Sequence, residues 1–244
     1  MKKYIRAFFT VITLFLCTNF CFAQYRAKGN IGLKVGVNHT EIQGLSKIFI
    51  SEDYYSGYEI NTQMQFSPTA CLFFNYHNER AHIGIEPQLL YYRLATALKY
   101  SDVHDLNYDI KFNYHYVGFA LYFKVYAVAG LNFTLGSKVG FNVTPNNLYY
   151  SSNQEDTKFD KYHYETVKET ENYLRNKIQG KNDIAIGGGL SYEFPFGLSI
   201  DALYHYSLCD LTETLPNNFS WIDTKNLTHQ FEIKIGYAFK VTYK

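Results

Sequence analysis

The chain is short of the residues that staple, bend or anchor many exported proteins. Its 244 residues include one Trp, two Met, four Cys and five Pro. No apolar run approaches the ~20 residues that a membrane-spanning helix requires, and mean hydropathy is −0.24. An integral helical membrane protein is thereby excluded. Charge of one sign is also missing: 23 Lys and Arg stand against 22 Asp and Glu, a formal net charge of +1. That balance excludes a nucleic-acid binder driven by a strong overall basic charge. Helical periodicity is absent from every long stretch; a short helix over Glu165–Ile178, within a loop, is the exception expected. What the chain does have is 24 Tyr and 20 Phe. Rings at that density favour strands and suit positions where an apolar body meets a wet boundary.

The N-terminus reads as a secretory signal peptide. Lys2, Lys3 and Arg6 form a positive segment, Ala7 to Cys17 is mostly apolar, and Cys21-Phe22-Ala23 puts small residues three and one before a cut ahead of Gln24. Cleavage leaves residues 24–244 as one domain. It removes three basic groups, so the mature charge becomes −2 and Cys71 and Cys209 are the remaining cysteines. Two cysteines so far apart are read as separate small core residues rather than a disulfide framework.

Alternation of period two runs through the rest. At the C-terminus Phe231, Ile233, Ile235, Tyr237, Phe239, Val241 and Tyr243 point one way, and Glu232, Lys234, Gly236, Ala238, Lys240 and Thr242 the other. Similar runs begin at Ile31, Phe66, His82, Asn113, Leu131, Asp183 and Leu198, giving eight strands. Short turns at 77–81, 127–130 and 195–197 alternate with long polar stretches at 43–63, 98–109, 144–181 and 210–228. Short turns at one end and long loops at the other describe an all-β, eight-stranded, antiparallel up-and-down barrel with short periplasmic turns and long external loops.

Alternation alone does not separate a membrane barrel from a soluble one whose apolar face points inward. Two features favour the membrane. The non-oily face is crowded with Gly32, Gly36, Gly84, Gly118, Gly136, Gly140, Gly187, Gly189 and Gly236, which suits a narrow lumen better than a solvated surface. Rings also gather near strand ends, at Tyr91, Tyr92, Tyr114, Tyr116, Tyr204, Tyr206, Phe239 and Tyr243, as expected of interfacial girdles. The lumen face then carries Lys34, Lys124, Lys138, Lys234 and Lys240 against Glu86, Glu193, Asp201 and Glu232. Unpaired charge in a narrow core is costly, so these groups are expected to form a structural polar network. Tyr237, Phe239 and Tyr243 are read as the C-terminal strand signal, with outer-membrane lipid and the barrel-assembly machinery as partners.

Several of these segments resemble the PorT-like outer-membrane β-barrel family of Bacteroidetes. Gly32-Leu33-Lys34-Val35-Gly36-Val37-Asn38 is similar to its "GlKaGlN" first strand, and Tyr116 to Lys124 to its "YleIPlllK" strand. Ile186 to Leu190 resembles "GlgaGl", Tyr204 to Leu208 resembles "RYnyGL", and Ile235 to Phe239 resembles the closing "lGyrF". The order is kept across nearly the whole mature chain. Gly118 and Ala120 stand where the family has Glu and Pro, Leu203 where it has Arg, and Ser207 where it has Gly. The resemblance implies a barrel in the outer membrane, and for the family's namesake a role in type IX secretion and gliding.

Enzymatic signatures are sparse. Gly187-Gly188-Gly189 lies inside a strand and lacks the helix that a phosphate site needs. No His or Cys spacing matches a metal site; Glu155, Asp156, Asp160 and His163 read as a solvated loop rather than a cation site. His205 and Ser207 share a face, and such a pair can activate a nucleophile, but that face is the lumen. No catalytic residue, cofactor or metal is therefore expected. The leading expectation is a monomeric, non-enzymatic outer-membrane barrel whose external loops meet protein partners. Accessory service to a secretion machine, lipid modification through His205 and Ser207, and a conducting pore are the alternatives.

Overall fold

The computed structural model describes residues 27–44, 58–78, 81–102, 105–128, 130–153, 166–214 and 225–241. The signal segment, Tyr243 and the group Glu155, Asp156, Asp160 and His163 lie outside them. Eleven strands and one helix follow in order: β1 Ala27–Ile42, β2 Tyr58–Asn78, β3 Ile83–Asp102, β4 Asn107–Val128, β5 Leu131–Asn142, β6 Leu148–Ser152, α1 Val167–Lys177, β7 Ile178–Gly180, β8 Asp183–Glu193, β9 Leu198–Ser207, β10 Thr212–Thr214 and β11 Thr228–Val241.

Eight of these strands close into an antiparallel ring, β1-β2-β3-β4-β5-β8-β9-β11, with β11 pairing back onto β1 from Gly29↔Val241 to Ile42↔Thr228. Paired residues can be followed once round it, from Gly29 through Tyr76, Ile85, Phe123, Leu135, Gly188, Tyr204 and Phe231. The path returns to β1 at His39, ten positions further on. A shear of ten across eight strands tilts them by about 42° and sets a backbone radius of about 8 Å. A tube that narrow is filled by its own side chains.

Residue parity decides which side of the wall each side chain takes. Val35 is 62% exposed, Phe119 62% and Leu135 69%, whereas their neighbours Lys34 and Ala120 are 1% and 5% exposed. A soluble barrel would show the reverse. The tight turns need glycine where the chain reverses: Gly130 has φ +94° and Gly197 φ +101°, values that L side chains rarely adopt.

The external half departs from the expected loops. β2, β3 and β4 run for 21, 20 and 22 residues, against 12, 11 and 10 for β5, β8 and β9. The stretch 98–109 is therefore mostly a β-hairpin, with Tyr100 stacked on Tyr108 at 4.6 Å between ring centroids. The reason is an inversion of polarity along the strands. Below Tyr91 the apolar face of β3 points out and Glu86 and Gln88 point in; above it Leu94 and Leu98 are buried inward while Lys99 is exposed. Water has replaced lipid outside the wall, and an apolar core has replaced the polar lumen inside it.

That upper core is a cap. β6 pairs with the upper part of β4, from Phe112↔Leu148 to Tyr108↔Ser152, and the helix expected over Glu165–Ile178 is present as α1. Thr166 and Glu169 close a capping box at its start, and Arg175 and Lys177 occupy its last turn. Leu174 belongs to one buried apolar cluster with Leu98, Ile110, Phe112, Leu148, Ile178 and Leu211. Side chains of α1 also finish the edge of β6: the Tyr150 amide donates to Glu171 at 2.9 Å, and Arg175 Nε donates to the Leu148 carbonyl at 2.6 Å.

Candidate functional site

Three linked polar layers occupy the lumen below the cap. In the periplasmic layer Lys34 donates to Glu86 at 2.5 Å and Asp201 at 2.7 Å, while Lys124 donates to the other Glu86 oxygen at 2.5 Å and to Glu193 at 2.8 Å. Tyr126 and Asn75 add donors to Glu193 at 3.0 and 3.2 Å. Gln88 links this layer to the next, donating to Glu86 at 2.7 Å and accepting from Lys234 at 3.4 Å. In the middle layer Lys234 lies 3.1 Å from Glu232, which also accepts from Thr69 at 2.8 Å. In the external layer Lys138 donates to Gln230 at 2.5 Å and stands 4.0 Å from Asp183.

Of the nine lysines and acids named for the lumen face, the eight whose side chains are described all point inward. Seven of them, Lys34, Glu86, Lys124, Lys138, Asp201, Glu232 and Lys234, are at most 5% exposed, and the Glu193 side chain is 24% exposed at the periplasmic mouth. The structure brings five of the eight into one cluster and Lys234 with Glu232 into a second; Lys138 instead pairs with residues not anticipated. Asp183 is the missed member. It accepts from Tyr92 at 2.7 Å and Ser207 at 3.0 Å, and its phase with Ala185, Gly187 and Gly189 was the available signal. The side chains of Lys240 and Tyr243 lie outside the described residues; Tyr237 and Phe239 face outward at 47% and 55% exposure.

One expectation is corrected. Tyr92, Tyr114 and Tyr116, grouped with the interfacial girdle, are buried inside the ring at 1%, 0% and 0% exposure. Parity with Gly118, Ala120 and Lys124 turns Tyr114 and Tyr116 inward. Tyr91 and Tyr204 do face out, and each meets a histidine across the strand pair: Tyr91 bonds His115 at 2.6 Å, and Tyr204 bonds His229. Glycine makes room for the inward rings. A Cβ on Gly140 would lie 2.0 Å from the Tyr92 hydroxyl oxygen, and one on Gly187 would lie 2.3 Å from Cδ2 of His205.

His205 and Ser207 are held by different partners. His205 Nε2 shares a 2.8 Å hydrogen bond with Tyr122, and its Nδ1 is left 3.8 Å from Glu232. The Ser207 hydroxyl, with one proton to give, has the Asp183 carboxylate at 3.0 Å and the Cys209 carbonyl at 2.8 Å as acceptors. Both residues are at most 1% exposed, so the geometry offers a substrate no approach to the pair. Cys71 and Cys209 are free thiols. Among the described residues no three His, Cys, Asp or Glu side chains gather as a metal-ligating group.

A closed eight-stranded ring, apolar outside and polar and packed within, is a transmembrane β-barrel. The family model for the outer membrane protein β-barrel domain matches residues 22–213, and the chain belongs to that family; it is an outer-membrane protein. It is similar to the solved Neisserial surface protein A at 9% identity, over 88% of this chain and 99% of that one, with a TM-score of 0.38. Ail, the attachment invasion locus protein of Yersinia pestis, gives 14% identity over 88% and 99%, with a TM-score of 0.36. OprG from Pseudomonas aeruginosa gives 13% over 87% and 97%, with a TM-score of 0.43. Comparison with curated proteins finds no match.

Proposed function

We propose that the protein is a non-enzymatic, monomeric outer-membrane barrel that presents its folded external cap as a surface for protein partners. The observation that carries this reading is where the chain spends its residues beyond the minimal barrel. β2, β3 and β4 rise well past the other strands, and β6, α1, β7 and β10 are added beside them. Function is commonly carried by such connecting segments on a rigid scaffold. Below the cap, paired lysines and carboxylates with inward Tyr rings make the lumen a structural plug rather than a channel.

Export fits this reading: a signal peptide at residues 1–23 is cleaved before Gln24, and Tyr237, Phe239 and Tyr243 are presented to the barrel-assembly machinery. The motif order from Gly32 to Phe239 supports a finer placement with PorT-like barrels of Bacteroidetes, which would make the partner a secretion component.

The test replaces residues 146–180 with a short Asn-Gly turn, keeping the ring strands. The variant should migrate as a heat-modifiable folded barrel in outer-membrane fractions yet lose the partners that the intact protein captures by surface cross-linking. Equal capture by both would refute the cap as the binding surface, and single-channel current through the purified protein would refute the plug. Normal export of secreted proteases in a deletion strain would remove the secretion partner.

A further inference from the structure

The rim is low where β5, β8, β9 and β11 end, and a cleft of about 800 Å³ opens there. Its floor includes Ile184 and Leu208, which face outward at 40% and 53% exposure. They are neighbours, with the Leu208 amide donating to the Ile184 carbonyl at 2.7 Å. Ile186, Leu190, Ile200 and Tyr204 continue the same outward face below them, each at least 40% exposed. Strand register and shear set Ile184 level with His39, Tyr206 and His229, the upper edge of the apolar band. The floor is thus continuous with the surface that meets lipid.

The upper walls are polar. The β7–β10 ladder, paired from Thr212↔Gly180 to Thr214↔Ile178, stands over the floor and is tied back by Gly180 N–H to the Pro145 carbonyl at 2.8 Å. Lys181 lines the cleft and lies 3.5 Å from Glu213. Asp210, also in the lining, accepts from the Asn226 amide at 2.9 Å. Lys225 also lines the cleft, is exposed, and has no ion-pair partner among the described residues. Glu213 is engaged by Lys181 and Asp210 by a backbone amide, so Lys225 is the cleft's ammonium group without an ion-pair partner among the described residues, at headgroup height above an apolar floor.

A water-soluble anion has no use for Ile184 and Leu208, and an ordinary annular lipid needs no walled recess. We propose that this cleft seats one phosphorylated lipid of the outer leaflet, its acyl chain on Ile184 and Leu208 and its phosphate held by Lys225, with the Lys181–Glu213 pair beside it. The inference rests on the family and on the cleft's position, and does not depend on the cap's having a protein partner.

Native mass spectrometry of the full chain folded in zwitterionic micelles, with added diphosphoryl lipid A or phosphatidylcholine, tests it. Wild-type protein should retain one lipid A per chain in a saturable manner. Lys181→Glu combined with Lys225→Glu should weaken that retention about tenfold while heat-modifiable migration is kept. Lys168→Glu with Lys177→Glu, on α1 and outside the cleft lining, should retain lipid A as wild type does. Unchanged retention in the cleft variant, equal loss in the helix variant, or phosphatidylcholine held as firmly as lipid A would each overturn the proposal.

Discussion

Replacing Lys124 with Met should destabilise the barrel more than replacing Glu86 with Gln, although Glu86 is the hub of the periplasmic layer. Two lysines, Lys34 and Lys124, serve three carboxylates there: Glu86, Glu193 and Asp201. Removing Lys124 leaves one ammonium group for three acids and strips contacts of 2.5 and 2.8 Å from Glu86 and Glu193. Breaking a buried pair from one side costs about 3–5 kcal/mol, because the abandoned charge stays desolvated. Glu86→Gln leaves two lysines facing two acids, Lys34 with Asp201 and Lys124 with Glu193, and the amide oxygen still accepts a hydrogen bond. Its cost should be that of weakened hydrogen bonds, about 1–2 kcal/mol. The gap of about 2 kcal/mol corresponds to about thirtyfold in the folded-to-unfolded ratio. Urea titration in phosphatidylcholine vesicles, read by the gel-mobility difference of folded barrel, measures both variants. Glu86→Gln costing as much as Lys124→Met would refute the reasoning, since charge imbalance would then not govern the layer.

Three other outcomes are expected. Gly140→Ala should cost about 1–3 kcal/mol by overpacking against Tyr92, and its cost measured in a Tyr92→Leu background should fall below half of that value. Val35→Arg, midway down the lipid-facing run of β1, should cost about 2–4 kcal/mol in the same vesicle titration, whereas Glu41→Arg above the band should change stability little. Glu171→Ala should leave the ring intact but release the edge of β6; faster hydrogen exchange at the Tyr150 amide, by a factor matching about 1–2 kcal/mol, would register the loss.

The ring was legible in the sequence because its two faces meet opposite environments at every residue. Lys34 beside Val35, or Lys124 beside Phe123, declares its side of the wall without knowledge of partners. The lumen acids and lysines could be read the same way, though not who pairs with whom: Lys34 meets Asp201 across 167 positions of sequence. The tall wall was not legible, because a search for one continuous oily face ends where the environments exchange. Leu94 and Leu98 are out of phase with Leu89 and Tyr91, so the hairpin around 98–109 reads as a polar loop. Tyr92, Tyr114 and Tyr116 are hard to place for a related reason: near a strand end, composition suggests a girdle while parity sends the ring inward. Asp183 is not legible because it opens β8, where a polar residue looks like the end of a loop.

The ladder between β1 and β11 has a consequence for biogenesis. Seven of the ring's eight pairings join strands that follow one another around the chain, whereas the eighth joins Gly29 to Val241. A chain emerging from its N-terminus can make hairpin after hairpin, but the hydrogen-bonding edge of β1 stays open until the last strand arrives. Throughout that interval the chain is a sheet with two unpaired edges and one oily face, the form most prone to stick to copies of itself. The closing strand therefore acts as a timer as well as a wall: a chain truncated before Thr228 keeps seven of the ring's strands yet never becomes a tube.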